Sequence, residues 1–124
     1  MLSNEKLMAF VSTTNADRAR AFFRDTLSLR LVSEDNFALV FDSNGAPLRV
    51  ALAKEVHAAP YTVLGWMVKD IRATVTQLTK AGVKFEIFGF FKQDELGIWA
   101  APGGDQVAWF KDPDGNILSV SQHV

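Results

Sequence analysis

The sequence predicts an α+β fold of two tandem β-α-β-β-β modules within one domain, residues 1–124. Two pairs of signals carry this. Asn15 and Asp70, 55 residues apart, each stand between a strand-like run and an apolar stripe at helical spacing, where a helix N-cap belongs. The acidic, Gly-containing turns DSNG and DPDG begin 70 residues apart, at Asp42 and Asp112, each between strand-like runs. The same signals in the same order read as a duplication. The unequal spacing assigns the second copy an insertion, roughly Gly89 to Asp105. The modules then cover about residues 5–55 and 60–122.

In module one, KLMAFVST (6–13) reads as a strand. Asn15 caps the helix, and Asp17 lies in its first turn, where the dipole favours an anion. Ala19, Phe22, Phe23 and Leu27 form a one-sided stripe. Strand-like runs follow at 29–33, 37–41 and 48–53. In module two, YTVLGWMV (61–68) is the strand and Asp70 the cap. Ile71, Val75 and Leu78 form the stripe, and Gly82 is placed for a C′ stop. VKFEIF (83–88), QVAWFK (106–111) and ILSVSQ (117–122) complete the module. DPDG resembles part of a calcium loop but lacks the third acidic position and the glutamate near position 12, so it reads as a turn.

With 13 basic and 14 acidic residues spread along the chain, the electrostatic footprint of nucleic-acid binding is missing. The absence of cysteine excludes disulfides, thiolate zinc sites and a Cys nucleophile. No apolar run reaches membrane-spanning length, and the N-terminus lacks a signal-peptide core, so a cytoplasmic location is expected. No Gly-rich phosphate loop follows a strand, and no cofactor is expected. His57 and His123 read as exposed loop and tail residues. The pattern sets no histidine near Ser12, Ser119 or Ser121, so no nucleophile constellation is expected.

DPDGN before a C-terminal strand, DRARAFFRDTLSLRLV after the first strand and GWMVKDIRATVTQLTKAGVKFEIF in the second module resemble the vicinal oxygen chelate superfamily. That superfamily includes glyoxalase I, extradiol dioxygenases and bleomycin-resistance proteins. The resemblance spans about residues 5–122. It implies curved mixed sheets forming a cup, commonly completed by dimerisation. It also implies metal ligands on the first and last strand of each module. Counted from the caps and turns, those positions hold Met8, Val63, Arg49 and Ser119; with one residue of slippage, only Thr62 adds a side-chain oxygen. No metal is therefore expected, nor is metal-dependent glyoxalase or dioxygenase chemistry.

Strand alternation extends the expected lining to Phe10, Ser12, Ala51, Gly65, Met67 and Ser121. Equating Trp109 with Leu39 across the 70-residue offset turns both inward, with Phe37 and Phe41. Arg49 is the one fixed charge there: either a ligand anchor or a solvated or interfacial arginine paired with a carboxylate. The insertion FGFFKQDELGIWAAPGGD (88–105), with Phe88, Phe90, Phe91 and Trp99, is either a lid, an interface or part of the core. Asp94 and Glu95 at its centre are expected to be solvated. The expected function is metal-independent binding of a small aromatic or anionic molecule by a homodimer, similar to bleomycin-resistance proteins. Met8, Phe10, Phe41, Arg49, Val63, Met67, Trp99, Trp109 and Ser119 are the candidate ligand-binding residues. The alternatives are a lyase, isomerase or dioxygenase-like enzyme with a noncanonical site, or a structural module whose cup is filled by its own side chains.

Overall fold

A computed structural model describes residues 1–124, which divide into two compact units, Met1–His57 and Ala58–Val124. The first contains β1 (Ala9–Thr13), α1 (Ala16–Arg20), a π-helical turn (Ala21–Thr26), β2 (Arg30–Glu34), β3 (Ala38–Ser43) and β4 (Ala46–Leu52). Its mixed sheet has the order β1-β4-β3-β2, with β1 parallel to β4 and the other pairs antiparallel. The second contains β5 (Thr62–Met67), α2 (Ile71–Lys80), β6 (Trp99–Ala100), β7 (Gln106–Lys111) and β8 (Ile117–Gln122). Its order, β5-β8-β7-β6, repeats the first with the same strand directions. No helix is long and apolar enough to cross a membrane.

Both expected caps form. The Asn15 carboxamide oxygen accepts from Arg18 N–H at 3.0 Å, and the Asp70 carboxylate from Ala73 N–H at 3.1 Å. Gln122 on β8 satisfies another first-turn donor, Ile71 N–H, at 2.8 Å. At the far end of α2, Val83 N–H bonds Leu78 O and Gly82 N–H bonds Thr79 O, both at 3.0 Å. This is a Schellman motif, and Gly82 supplies its left-handed residue at φ 101°.

α1 departs from the expected regular helix. Leu27 N–H reaches Phe22 O, five residues back, and the wider turn buries Ala19 and Phe23 while leaving Phe22 and Leu27 half-buried. Phe23 packs on Phe41 at 5.7 Å between ring centroids, amid Leu39, Leu48 and Val50. In the second unit Ile71 and Val75 of α2, Phe110 and Ala108 of β7, and Leu118 and Val120 of β8 are buried, with Trp66 stacked on Phe110. Burying each such large side chain contributes about 1.5–3 kcal/mol.

Two expectations about the strands are corrected. Residues 83–88 form no strand: Phe85 makes one bridge to Phe110, and Glu86 N–H bonds Trp109 O. The chain then leaves the sheet and returns as β6, where Trp99 pairs with Val107. The insertion thus splits one edge strand into two short pieces along β7.

The second correction concerns Leu39 and Phe41. DSNG closes as a two-residue hairpin through Asn44 (φ 51°) and Gly45 (φ 89°), with Ser43 opposite Ala46. DPDG closes around three residues, because Asp112 N–H bonds Asn116 O and Gly115 N–H bonds Asp112 O. One extra turn residue shifts the offset between β3 and β7 by one, so a residue matched by the 70-residue offset falls on the other face. Trp109 is therefore the counterpart of Val40, since Val40 pairs with Arg49 as Trp109 pairs with Ser119. Leu39 and Phe41 lie on the opposite face from Arg49 and are fully buried, so Phe41 belongs to the core and lines no open face. Phe37 is exposed in the bend before β3.

Candidate functional site

The second sheet carries an aromatic cluster on the face turned away from α2. Alternation from buried Phe110 and Leu118 sets Trp109, Ser119, Val107 and Ser121 on that face, together with their partners Gly65, Met67 and Trp99. Trp99, Trp109, Met67 and Ser119 of the candidate set are thus brought onto one surface. Loop aromatics complete the cluster. Phe91 stacks on Trp109 at 5.1 Å with planes 2° apart, Phe88 meets Trp109 edge-on at 5.5 Å, and Phe91 lies 4.6 Å from both Phe90 and Trp99.

The β5–β8 register shifts between Thr62 and Leu64, which leaves Val63 without a partner. Val63 is 40% exposed and does not line the aromatic groove, whereas the Thr62 side chain reaches the open face at Trp109. The Thr62 hydroxyl accepts from the Trp109 indole N–H at 3.1 Å, which fixes the ring across the sheet. Pro60, Tyr61, Thr62, Phe88, Phe90, Phe91, Trp109 and Ile117 line a groove of about 260 Å³. Tyr61 and Ile117 were not expected there. Tyr61 precedes the strand, and Ile117 lies at the turn-proximal end of β8, two residues before Ser119, where alternation carries the face back into the groove.

The loop beneath this groove is tied down by its own polar groups. Gln93 Nε2 donates to Glu86 O (2.9 Å) and Gly97 O (2.8 Å), while its Oε1 accepts from Phe88 N–H (2.7 Å). Asp94 Oδ1 accepts from the N–H groups of Leu96 and Ile98, each at 2.9 Å, and Ile98 is buried. Asp94 and Glu95 are not simply solvated: Arg72 of α2 pairs with both, at 3.1 and 3.0 Å. Arg72 and a hydrogen bond to backbone N–H hold Glu95 below the usual carboxylate range, the backbone bond being the larger cause.

Ser119 is buried opposite Gly65, where an added Cβ would lie 2.7 Å from the Ser119 hydroxyl oxygen. The DPDG carboxylate is occupied locally. Asp112 Oδ1 accepts from Asp114 and Asn116 N–H, and Oδ2 from the Asn116 amide at 2.8 Å. Burial nevertheless raises the Asp112 pKa, against the opposing pull of these hydrogen bonds. His123 is no free tail residue, since its ring bonds both Ser121 and Asp105. His57 stays exposed beside Glu55.

In the first unit, Phe10, Arg49 and Val40 stand side by side across β1, β4 and β3 on the face opposite the core. Phe10 is exposed, Arg49 half-buried, and Met8 exposed just ahead of β1. Arg49 makes no salt bridge within the unit; its nearest carboxylate effect is a minor one on Asp35, whose pKa is lowered chiefly by the N–H groups of Phe37 and Ala38. The four ligand positions that the resemblance implies hold a thioether, a guanidinium, an aliphatic chain and a hydroxyl. No group of three or more His, Cys, Asp or Glu side chains is placed to hold a metal ion.

No curated protein matches this chain in sequence. Among solved structures, a superfamily member from Sphaerobacter thermophilus superposes with a TM-score of 0.74 at 19% identity, covering 99% of this chain and 100% of its own. A glyoxalase/bleomycin resistance protein/dioxygenase from Alicyclobacillus acidocaldarius gives 0.72 at 17% identity, covering 97% and 92%. The lactoylglutathione lyase of Agrobacterium tumefaciens gives 0.71 at 17%, covering 96% and 93%. The family profile of the Glyoxalase/Bleomycin resistance protein/Dioxygenase superfamily matches residues 7–120, and the chain belongs to that superfamily.

Proposed function

We propose that this protein binds a small planar aromatic molecule without a metal ion, on the open face of its second sheet, as a bleomycin-resistance-like sequestering protein. The groove walled by Phe88, Phe90, Phe91 and Trp109 carries the reading. Its aromatic rings offer stacking surfaces, and the Thr62 bond holds the Trp109 ring in orientation before any ligand arrives, which lowers the ordering cost of binding. Phe90 is 79% exposed, so its ring can receive a ligand without disturbing the core. The metal-free part rests on the donor set at the four family positions, which has neither imidazole nor carboxylate. A homodimer belongs to the same reading, because within each unit the outer strands lack a second neighbour and Leu7, Val32 and Ile87 are exposed.

Titration with a panel of aromatic acids and neutral aromatic drugs, read by tryptophan fluorescence, tests it. Saturable quenching that survives a chelator is expected, and Phe90→Ala should weaken it about tenfold while leaving the melting temperature unchanged. Absence of saturable quenching across the panel refutes the binding reading. Light scattering at about the 13.7 kDa monomer mass refutes the dimer alone.

A further inference from the structure

We propose that Ser121, His123 and Asp105 form a nucleophilic triad that accepts an acyl group from small activated esters and passes it to water. Ser121 Oγ lies 2.8 Å from His123 Nε2, and His123 Nδ1 lies 2.9 Å from Asp105 Oδ2. The carboxylate accepts from Nδ1–H, which leaves Nε2 as the acceptor for the serine proton. Asp105 is itself oriented, because its Oδ1 accepts from Val124 N–H at 3.0 Å. That bond, and secondly His123, hold its pKa below the usual range, so it stays anionic. Ser121 is the penultimate residue of β8, and His123 follows directly after the strand, where its ring turns back to the Ser121 hydroxyl.

The surroundings suit an acyl donor. The hydroxyl opens onto the outer face of the sheet, between its register partners Met67, 82% exposed, and Val107, with Trp99 paired to Val107 beyond. These side chains make an apolar strip for an acyl chain or an aryl leaving group. In the acylation step His123 Nε2 takes the Ser121 proton while Oγ bonds to the carbonyl carbon. The ester C–O bond then breaks, and the leaving oxygen takes the proton from Nε2. Water repeats the sequence on the acyl-serine, with His123 as base, releasing the acid and restoring Ser121. This activity is independent of ligand binding in the aromatic groove.

The protein is treated with a fluorophosphonate probe and, separately, with 4-nitrophenyl acetate, and adducts are located by peptide mass spectrometry. A single serine adduct at Ser121 is expected. Ser121→Ala should abolish it. His123→Gln should reduce it to background. Asp105→Asn should slow it roughly 100-fold by forcing the other imidazole tautomer, with Asp105→Glu restoring part of the rate. A merely structural Asp105 would lower the melting temperature in the Asn variant without slowing the labelling, and Asp105→Glu would then restore no rate. Labelling spread over the other serines, or unaffected by Ser121→Ala or His123→Gln, overturns the proposal. Circular dichroism of each variant separates loss of the triad from loss of the fold.

Discussion

Gly65 and Ser119 are partners on parallel strands, and they lie so close that a methyl group on Gly65 would sit 2.7 Å from the Ser119 hydroxyl oxygen. Gly65→Ala is therefore expected to destabilise the protein by about 1–2 kcal/mol, the cost of turning or displacing a buried hydroxyl. Ser119→Ala in the same chain should recover most of that loss, because the remaining approach, 3.4 Å to the Ser119 carbonyl oxygen, is ordinary. Urea unfolding of the two single variants and the double variant measures the coupling. Purely additive effects would show that the close approach carries no energy.

Gln93 holds the aromatic loop through three hydrogen bonds to backbone groups of Glu86, Phe88 and Gly97. Gln93→Ala leaves those groups without their partner and should cost about 1–3 kcal/mol. Hydrogen exchange at Phe88 and neighbouring amides should accelerate, while the amides of β7 and β8 stay protected. Unchanged exchange at Phe88 would mean that the loop is held by its aromatic packing instead.

Stability should fall in acid. Arg24 lowers the Asp25 pKa and Arg20 that of Glu34, while backbone N–H groups are the leading cause for Asp35, Glu95 and Asp105. Each stabilises the fold fully above its ordinary value, roughly pH 4 to 4.5, and that contribution disappears as pH falls through the lowered folded-state values. Asp112 has the opposite sign: its pKa is raised by burial, so the native state takes up its proton first and gains as pH drops toward the ordinary carboxylate range. Five groups against one make the net trend downward below pH 4. Urea midpoints that rise from pH 4 to pH 3 would contradict this.

Arg49 stands half-buried beside Phe10 on the open face of the first sheet. If it anchors an anionic ligand, Arg49→Ala should weaken carboxylate-bearing compounds about tenfold and leave their neutral analogues unchanged. Calorimetry on such a matched pair decides, and equal effects on both would assign Arg49 to folding alone.

Much of this fold could be read from local chemistry. Asn15 and Asp70 cap helices because short polar side chains satisfy orphan N–H groups, and Gly82 ends α2 because it tolerates positive φ. Other features were set by quantities that residue types do not display. DSNG and DPDG look alike, yet they close around two and three residues, and that single residue moved Phe41 from the expected lining into the core. The register break at Val63, which lets Thr62 meet Trp109, could not be read for the same reason, since pairing register is decided between strands. His123 looked like a tail residue because Asp105, its partner, is distant in sequence. The Ser121-x-His123 spacing across the end of β8 was the one local signal, and it gains meaning only beside that carboxylate.

The split edge strand has a consequence for how such a chain can diversify. Phe85 and Trp99 both fasten to β7, so the segment between them departs from one strand and returns to it. The sheet keeps no record of that segment's length, and lengthening such an excursion costs only slowly more entropy. Residues 87–97 are thus a replaceable cassette: new rings can be presented above Trp109 while buried Ile98 and every pairing of β7 with β8 stay as they are.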